Sequence, residues 1–205
     1  MTSNDPTRLG RRDRKKRQTR TALATAALRL VAERGLDQVT VEEISEAADV
    51  SSRTFFNYFP SKDDALVGDT EADRDSVLRA LAAVPAEHSA LEALRRSFAE
   101  VVTEVQGDAE LSLLRMRVVT QYPVLLARLI SGNAVTERAL VEAIAARTGL
   151  PPEHAYPALV VAVAGAALRT ALIRWATDGG TGSLAALLDE AFAVVAAGLP
   201  DPRTG

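Results

Sequence analysis

Residues 40–62 read TVEEISEAADVSSRTFFNYFPSK, and this stretch decides the fold. Thr40 with Glu43 three residues on is a capping-box pattern, so a helix opens there. Val41, Ile44 and Ala48 share one face of that helix, predicted over 41–47. Ala48, Asp49 and Val50 form a tight turn. Ser51 is placed to cap a further helix over 51–58, which Pro60 ends. Two short helices joined by a tight turn make a helix-turn-helix. In that motif the N-terminal residues of the second helix reach base edges in the major groove.

The second helix divides cleanly by spacing. Phe55 and Phe59 are four apart and point inward. Ser52, Arg53, Thr54, Phe56, Asn57 and Tyr58 are left toward the outer surface. A polar and aromatic set of this kind is odd for a solvated face and suits a groove. There Arg reads guanine, Thr or Phe meets a thymine methyl, and hydroxyls meet phosphates.

Upstream, Leu23, Ala27, Leu30 and Val31 recur at helical spacing, predicting a helix over 16–34 that Gly35 stops. Before it lies a basic run. Residues 8–20 hold eight Lys/Arg against the single Asp13, and 1–15 are expected to form a disordered basic arm. The net charge of −3 hides an asymmetry: residues 1–62 balance at +4 and residues 63–205 at −7. A basic end of this kind points to an anionic partner.

Downstream, Pro and Gly punctuate helical segments predicted over 62–83, 89–105, 109–121, 124–147, 153–177 and 184–197. No sustained alternation of period two occurs, so the chain reads as all-α, with about nine helices. The 205 residues are 47% apolar and 25% charged, enough for a core in a soluble chain. With no Cys there are no disulfides, thiol catalysis or Cys metal sites. The two histidines, His88 and His154, lie far apart, and neither an HExxH motif nor a Ser–His–Asp set is evident. No catalytic residue, metal site or cofactor is therefore expected, and an enzyme is disfavoured. No apolar run reaches the ~18 residues of a membrane span, and the basic N-terminus lacks the apolar stretch of a secretory signal. A cytoplasmic protein without a membrane partner is expected.

Residues 40–62 resemble the DNA-binding signature of TetR-family transcriptional regulators, and the specific likeness extends over 16–66. The resemblance implies an all-helical homodimer. Each protomer would have a helix-turn-helix domain over 16–62 and a regulatory ligand-binding and dimerisation domain over 63–205. Ser51, Ser52, Arg53, Thr54, Phe56, Asn57 and Tyr58 match the recognition helix. Thr40 matches a helix N-terminus that docks on phosphate, which the helix dipole favours. Lys62 matches a lysine that meets the DNA backbone. Arg14, Arg17 and Arg20 lie where the family often carries a basic extension, suited to neutralising phosphates or entering the minor groove. Two features depart from the pattern. Asp49 stands where the turn usually has Gly, and Glu42 would repel phosphate.

In the regulatory part, Phe98, Val102, Met116, Val119, Tyr122 and Leu126 are candidate ligand contacts, with ordinary core packing as the bland alternative. Leu159, Val163, Ala167, Leu184, Leu188 and Phe192 are candidate dimer contacts, because the family pairs its last two long helices. Trp175 is left open between core and interface rim. The expected function is a sequence-specific regulator, a repressor released from a palindromic double-stranded operator by a small apolar or amphipathic effector. The competing reading is a helical interaction protein whose basic arm binds nucleic acid or acidic lipid without sequence preference.

Overall fold

A computed structural model describes the backbone of residues 6–68 and 70–200, with side chains except those of 6–14, 17 and 70. Among these residues there are ten α-helices, one 3-10 turn and no strand. In order they are α1 (Pro6–Arg34), the turn Leu36–Gln38, α2 (Val41–Ala47), α3 (Ser52–Phe56), α4 (Lys62–Val67), α5 (Thr70–Ala83), α6 (Ala90–Gly107), α7 (Ala109–Gln121), α8 (Pro123–Thr148), α9 (Ala155–Thr177) and α10 (Leu184–Ala196).

Three boundaries differ from the sequence pattern. The first helix starts at Pro6 rather than 16, so the backbone of 6–15 is helical where a disordered arm was expected. Arg and Lys are good helix formers but give no apolar period to read, and Pro suits a first helical position. The arm's first five residues lie outside the described set. The recognition helix is shorter than 51–58, because Asn57 and Tyr58 close a tighter turn, donating to Thr54 O and Phe55 O. Pro60 disfavours helical backbone just before it. The helix expected over 62–83 breaks at Gly68, whose φ of 106° lies outside the helical region. That break raises the count from nine to ten.

The chain forms two compact units. The first joins the described residues up to 68 with Leu114–Ala127, and the second joins Thr70–Leu113 with the described residues from Arg128 onward. The boundary expected after residue 62 thus lies several residues later, and 114–127 fall with the first unit. In the first unit Leu23, Leu28 and Val31 of α1, Ile44, Phe55, Phe59, Leu66, Val118 and Leu125 are buried.

In the second unit a stripe on α9 (Val160, Val161, Ala164, Ala167, Ala171, Trp175) packs with Leu94, Phe98 and Val102 of α6 and Leu184, Leu188 and Phe192 of α10. The small residues let the helices approach closely, and Phe98 meets Phe192 edge-on at 6.3 Å. By length and composition α9 is apolar enough to cross a membrane. In this fold seven of its residues are buried inside the unit.

Arg95 ties α6 to α10, donating to Glu92 at 2.8 Å and to Asp189 at 2.5 Å. Arg147 donates to Val84 O at 2.8 Å and to Pro85 O and His88 O, fastening the end of α8 to the loop that follows α5.

Candidate nucleic-acid interface

The exposed face of α3 is set by what lies beneath it. Phe55 and Phe59 are 0% and 1% exposed, with ring centroids 5.7 Å apart. Ser51 caps the helix by accepting from the Thr54 amide at 3.1 Å, and its Oγ lies 2.9 Å from Thr54 Oγ1. With the helix pinned on these aromatic rings, Ser51, Arg53, Phe56 and Asn57 are exposed, and Ser52, Thr54 and Tyr58 half-buried. Phe56 is 56% exposed and rests edge-on against Phe55 at 5.5 Å. A large apolar ring held in water by a rigid neighbour is costly unless something covers it.

The capping box at Thr40 is complete. Thr40 Oγ1 accepts from the Glu43 amide at 3.2 Å, and the Thr40 amide donates to Glu43 Oε2 at 2.9 Å. Arg34 donates to Glu43 Oε1 at 2.5 Å and to Gln38 O at 3.1 Å, fastening the end of α1 to the start of α2. The Arg34 hydrogen bond, with those from Thr40, holds the Glu43 carboxyl well below its usual range, at about 2. Thr40 itself is exposed, and so is Glu42 beside it.

The turn between α2 and α3 adopts the left-handed conformation at Asp49, with φ of 53°. Val50 N donates to Ser45 O at 2.9 Å and Asp49 N to Glu46 O at 3.0 Å. That pair of bonds is a Schellman motif, built on Asp where Gly is usual.

Two basic residues assigned to DNA have protein partners. Lys62 Nζ donates to Leu36 O at 2.5 Å and to Val39 O at 2.8 Å. Leu36 opens the 3-10 turn and Val39 follows it, so the ammonium holds the turn to α4. Arg20 Nη1 donates to Tyr58 O at 2.8 Å, and its guanidinium lies 4.3 Å above the Phe59 ring. Arg20 therefore faces the protein's interior rather than an arm. The side chains of Arg14 and Arg17 lie outside the described residues.

Sequence comparison decides the family. Residues 23–67 match the pattern for bacterial regulatory proteins of the tetR family, and residues 88–200 match the MftR C-terminal domain. The chain belongs to the TetR family. This TetR-family protein is thus a DNA-binding transcriptional regulator and not an enzyme. It is 34% identical over 181 residues to the transcriptional regulator TcmR of Streptomyces glaucescens, covering 85% of this chain and 80% of the relative. It is 29% identical over 178 residues to MftR of Mycobacterium tuberculosis, covering 86% and 89%. The fold is shared with the fatty acid degradation regulator FadR of Bacillus halodurans, at a TM-score of 0.62 and 19% identity over 88% of this chain and 96% of that one.

The candidate ligand residues of this TetR-family chain are shared between the two units. Phe98 and Val102 are buried in the core of the second unit. Met116, Val119, Tyr122 and Leu126 fall in the first. Tyr122 has a structural partner, its Oη accepting from the Leu36 amide at 3.2 Å. An open groove of about 400 Å³ lies between α6 and α10, among Leu91, Glu92, Arg95, Asp189 and Phe192, and none of the six candidates lines it.

The candidate dimer set is also divided. Ala167, Leu184, Leu188 and Phe192 are buried in their own protomer, Val163 is half-buried, and Leu159 is 63% exposed. The strongest apolar period marks the face that packs within the chain. The outward face of α9 and α10 instead shows Leu159, Ile173 and Val194, the last two 56% and 44% exposed. Leu159, Ala162, Ala166 and Ile173 recur at helical spacing along α9, so the sequence carries this second stripe as well.

Proposed function

We propose that this regulator is a homodimeric repressor that acts in the cytoplasm. Each protomer places α3 in a major groove of a palindromic operator, and a small apolar or amphipathic effector held by the second unit releases the DNA. The observation that carries this reading is the exposed row Ser51, Arg53, Phe56 and Asn57 above the buried Phe55 and Phe59. Arg suits guanine, and an exposed ring suits a thymine methyl. Half-buried Ser52, Thr54 and Tyr58 around the same helix, and exposed Thr40 at the start of α2, would serve the phosphate backbone. Arg14 and Arg17 supply further positive charge at the same end of the sequence.

Dimerisation is supported by the apolar outward residues Leu159, Ile173 and Val194, which a second copy would cover. A two-fold dimer presents two reading heads to two half-sites, which is why a palindrome is expected. Effector binding weakens DNA affinity by its differential affinity for the two states, typically ~1–3 kcal/mol of coupling.

The test is a fluorescence-anisotropy titration onto the DNA upstream of the protein's own gene and onto a scrambled duplex, at two salt concentrations. Tighter binding to the upstream fragment that survives the higher salt supports the reading. Equal binding to both that collapses with salt would leave only a non-specific basic segment at work.

A further inference from the structure

Trp175 is the one tryptophan of the chain, in the last turn of α9, and 0% of its surface is exposed. Its indole N–H finds no hydrogen-bond acceptor among the described residues. The two buried serines are different. Ser45 donates to Val41 O at 2.7 Å and Ser97 to Leu94 O at 2.8 Å. Leaving a donor buried and unpaired is costly, and a phenylalanine would fill such a site without that cost.

The indole is held in place. Gly180 N donates to Trp175 O at 2.9 Å. A Cβ at Gly180 would come within 2.8 Å of Leu113 Cδ1 and 3.3 Å of Trp175 Cζ2, so the turn after α9 closes directly on the ring and on Leu113. Among the described residues the only buried polar or charged ones are Ser45 and Ser97, so no charged side chain is buried beside Trp175. Val105, Leu113 and Leu172 pack against that core and are only half-buried.

We propose that the Trp175 indole N–H is the polar anchor of an effector site within the second unit. It would donate to a carbonyl oxygen of an uncharged, otherwise apolar molecule. An indole N–H can only donate, so the ligand must bring an acceptor. An ionised group would be buried there without a counter-charge, so the acceptor is neutral. This inference rests on the second unit's being the effector-binding unit of the repressor proposed above.

A single indole makes the test specific, since one indole cross-peak in a proton–nitrogen correlation spectrum reports this atom alone. The probes are 1-indanone and indane, which share a ring frame and differ by the carbonyl oxygen. The expected results are a downfield shift of the indole proton with 1-indanone and none with indane. The preference for ketone over hydrocarbon should also fall about five- to tenfold in Trp175→Phe, the worth of one net hydrogen bond.

An unmoved indole resonance, no binding of 1-indanone, or an unchanged preference in Trp175→Phe overturns the site. The resonance alone decides if the variant does not fold. Operator release by the same ketone is read in parallel. Equal release from wild type and Trp175→Phe overturns the Trp175 site and leaves the effector reading standing. A shifted indole without release keeps the site and overturns its role in regulation.

Discussion

Arg20 donates to the carbonyl oxygen of Tyr58 at 2.8 Å, joining the middle of α1 to the turn after the recognition helix. That carbonyl lies just past the C-terminus of α3, where a cation also meets the negative end of the helix dipole. The same guanidinium covers the Phe59 ring. Arg20→Ala is therefore expected to destabilise the first unit by about 1–3 kcal/mol, read as a lower urea midpoint. DNA affinity should fall with it while the salt slope holds. A slope flatter by about 0.9 would instead make Arg20 a phosphate contact.

Asp49 occupies a left-handed position with φ of 53°. An L-residue there bears a cost of roughly 1–2 kcal/mol that Gly avoids, and Asp softens it only in part. Asp49→Gly should raise the thermal midpoint by an amount worth about 1 kcal/mol, offset slightly by the entropy of a freer unfolded chain. Asp49→Val, whose β-branched side chain resists that conformation, should lower it. The two melts in one buffer settle the matter.

Glu43 makes the capping box sensitive to acid. Its carboxyl is held at about 2 against an ordinary 4.5, chiefly by the Arg34 hydrogen bond and then by Thr40. Because the folded value is the depressed one, its contribution is fully present above the unfolded value and is lost as pH falls from 4.5 toward 2. Urea midpoints of wild type should drop across that window. Glu43→Gln should be less stable at neutral pH and show a shallower acid loss. Identical acid profiles for the two proteins would remove Glu43 from the linkage.

Arg53 is exposed near the start of α3 and, among the described residues, has no partner of the kind seen at Arg20 and Lys62. Arg53→Ala should cost about 1–3 kcal/mol of specific affinity and relax the preference at one base position of each half-site. Selection from a random duplex pool with both proteins gives the comparison. Loss of affinity with an unchanged selected sequence would reduce Arg53 to a backbone contact.

Leu159 and Leu188 should separate assembly from folding. Leu159 is 63% exposed and Leu188 2%. Leu159→Glu is expected to yield folded monomers in sedimentation, since a charge would enter the paired surface. Leu188→Ala should keep the dimer and destabilise the protomer by about 2–5 kcal/mol. A Leu159→Glu protein that still sediments as a dimer would move the interface off this face.

The sequence by itself determined the all-helical class, the helix-turn-helix and its family. Those readings rest on local chemistry: a Thr–Glu cap, a serine cap, the Phe55–Phe59 pair and Pro60 each act within a few residues. Half of the outward set around α3 was legible for the same reason: Arg53, Phe56 and Asn57 are exposed as the spacing from Phe55 placed them, while Ser52, Thr54 and Tyr58 are half-buried.

The tertiary structure alone decided the duties of long polar side chains and which apolar face is inside. Lys62 reaches Leu36 O and Val39 O, and Arg20 reaches Tyr58 O, across 23 to 38 residues of chain. No local pattern marks an acceptor that distant. Leu184, Leu188 and Phe192 carry the same apolar signal whether they meet their own protomer or a second copy, so burial had to choose. Trp175 was undecided for that reason too. Only the packed core, with its indole N–H enclosed and unpaired, assigned it to the interior. Periodicity reports that a face is apolar, and the partner for that face is chosen by contacts between residues far apart in the chain.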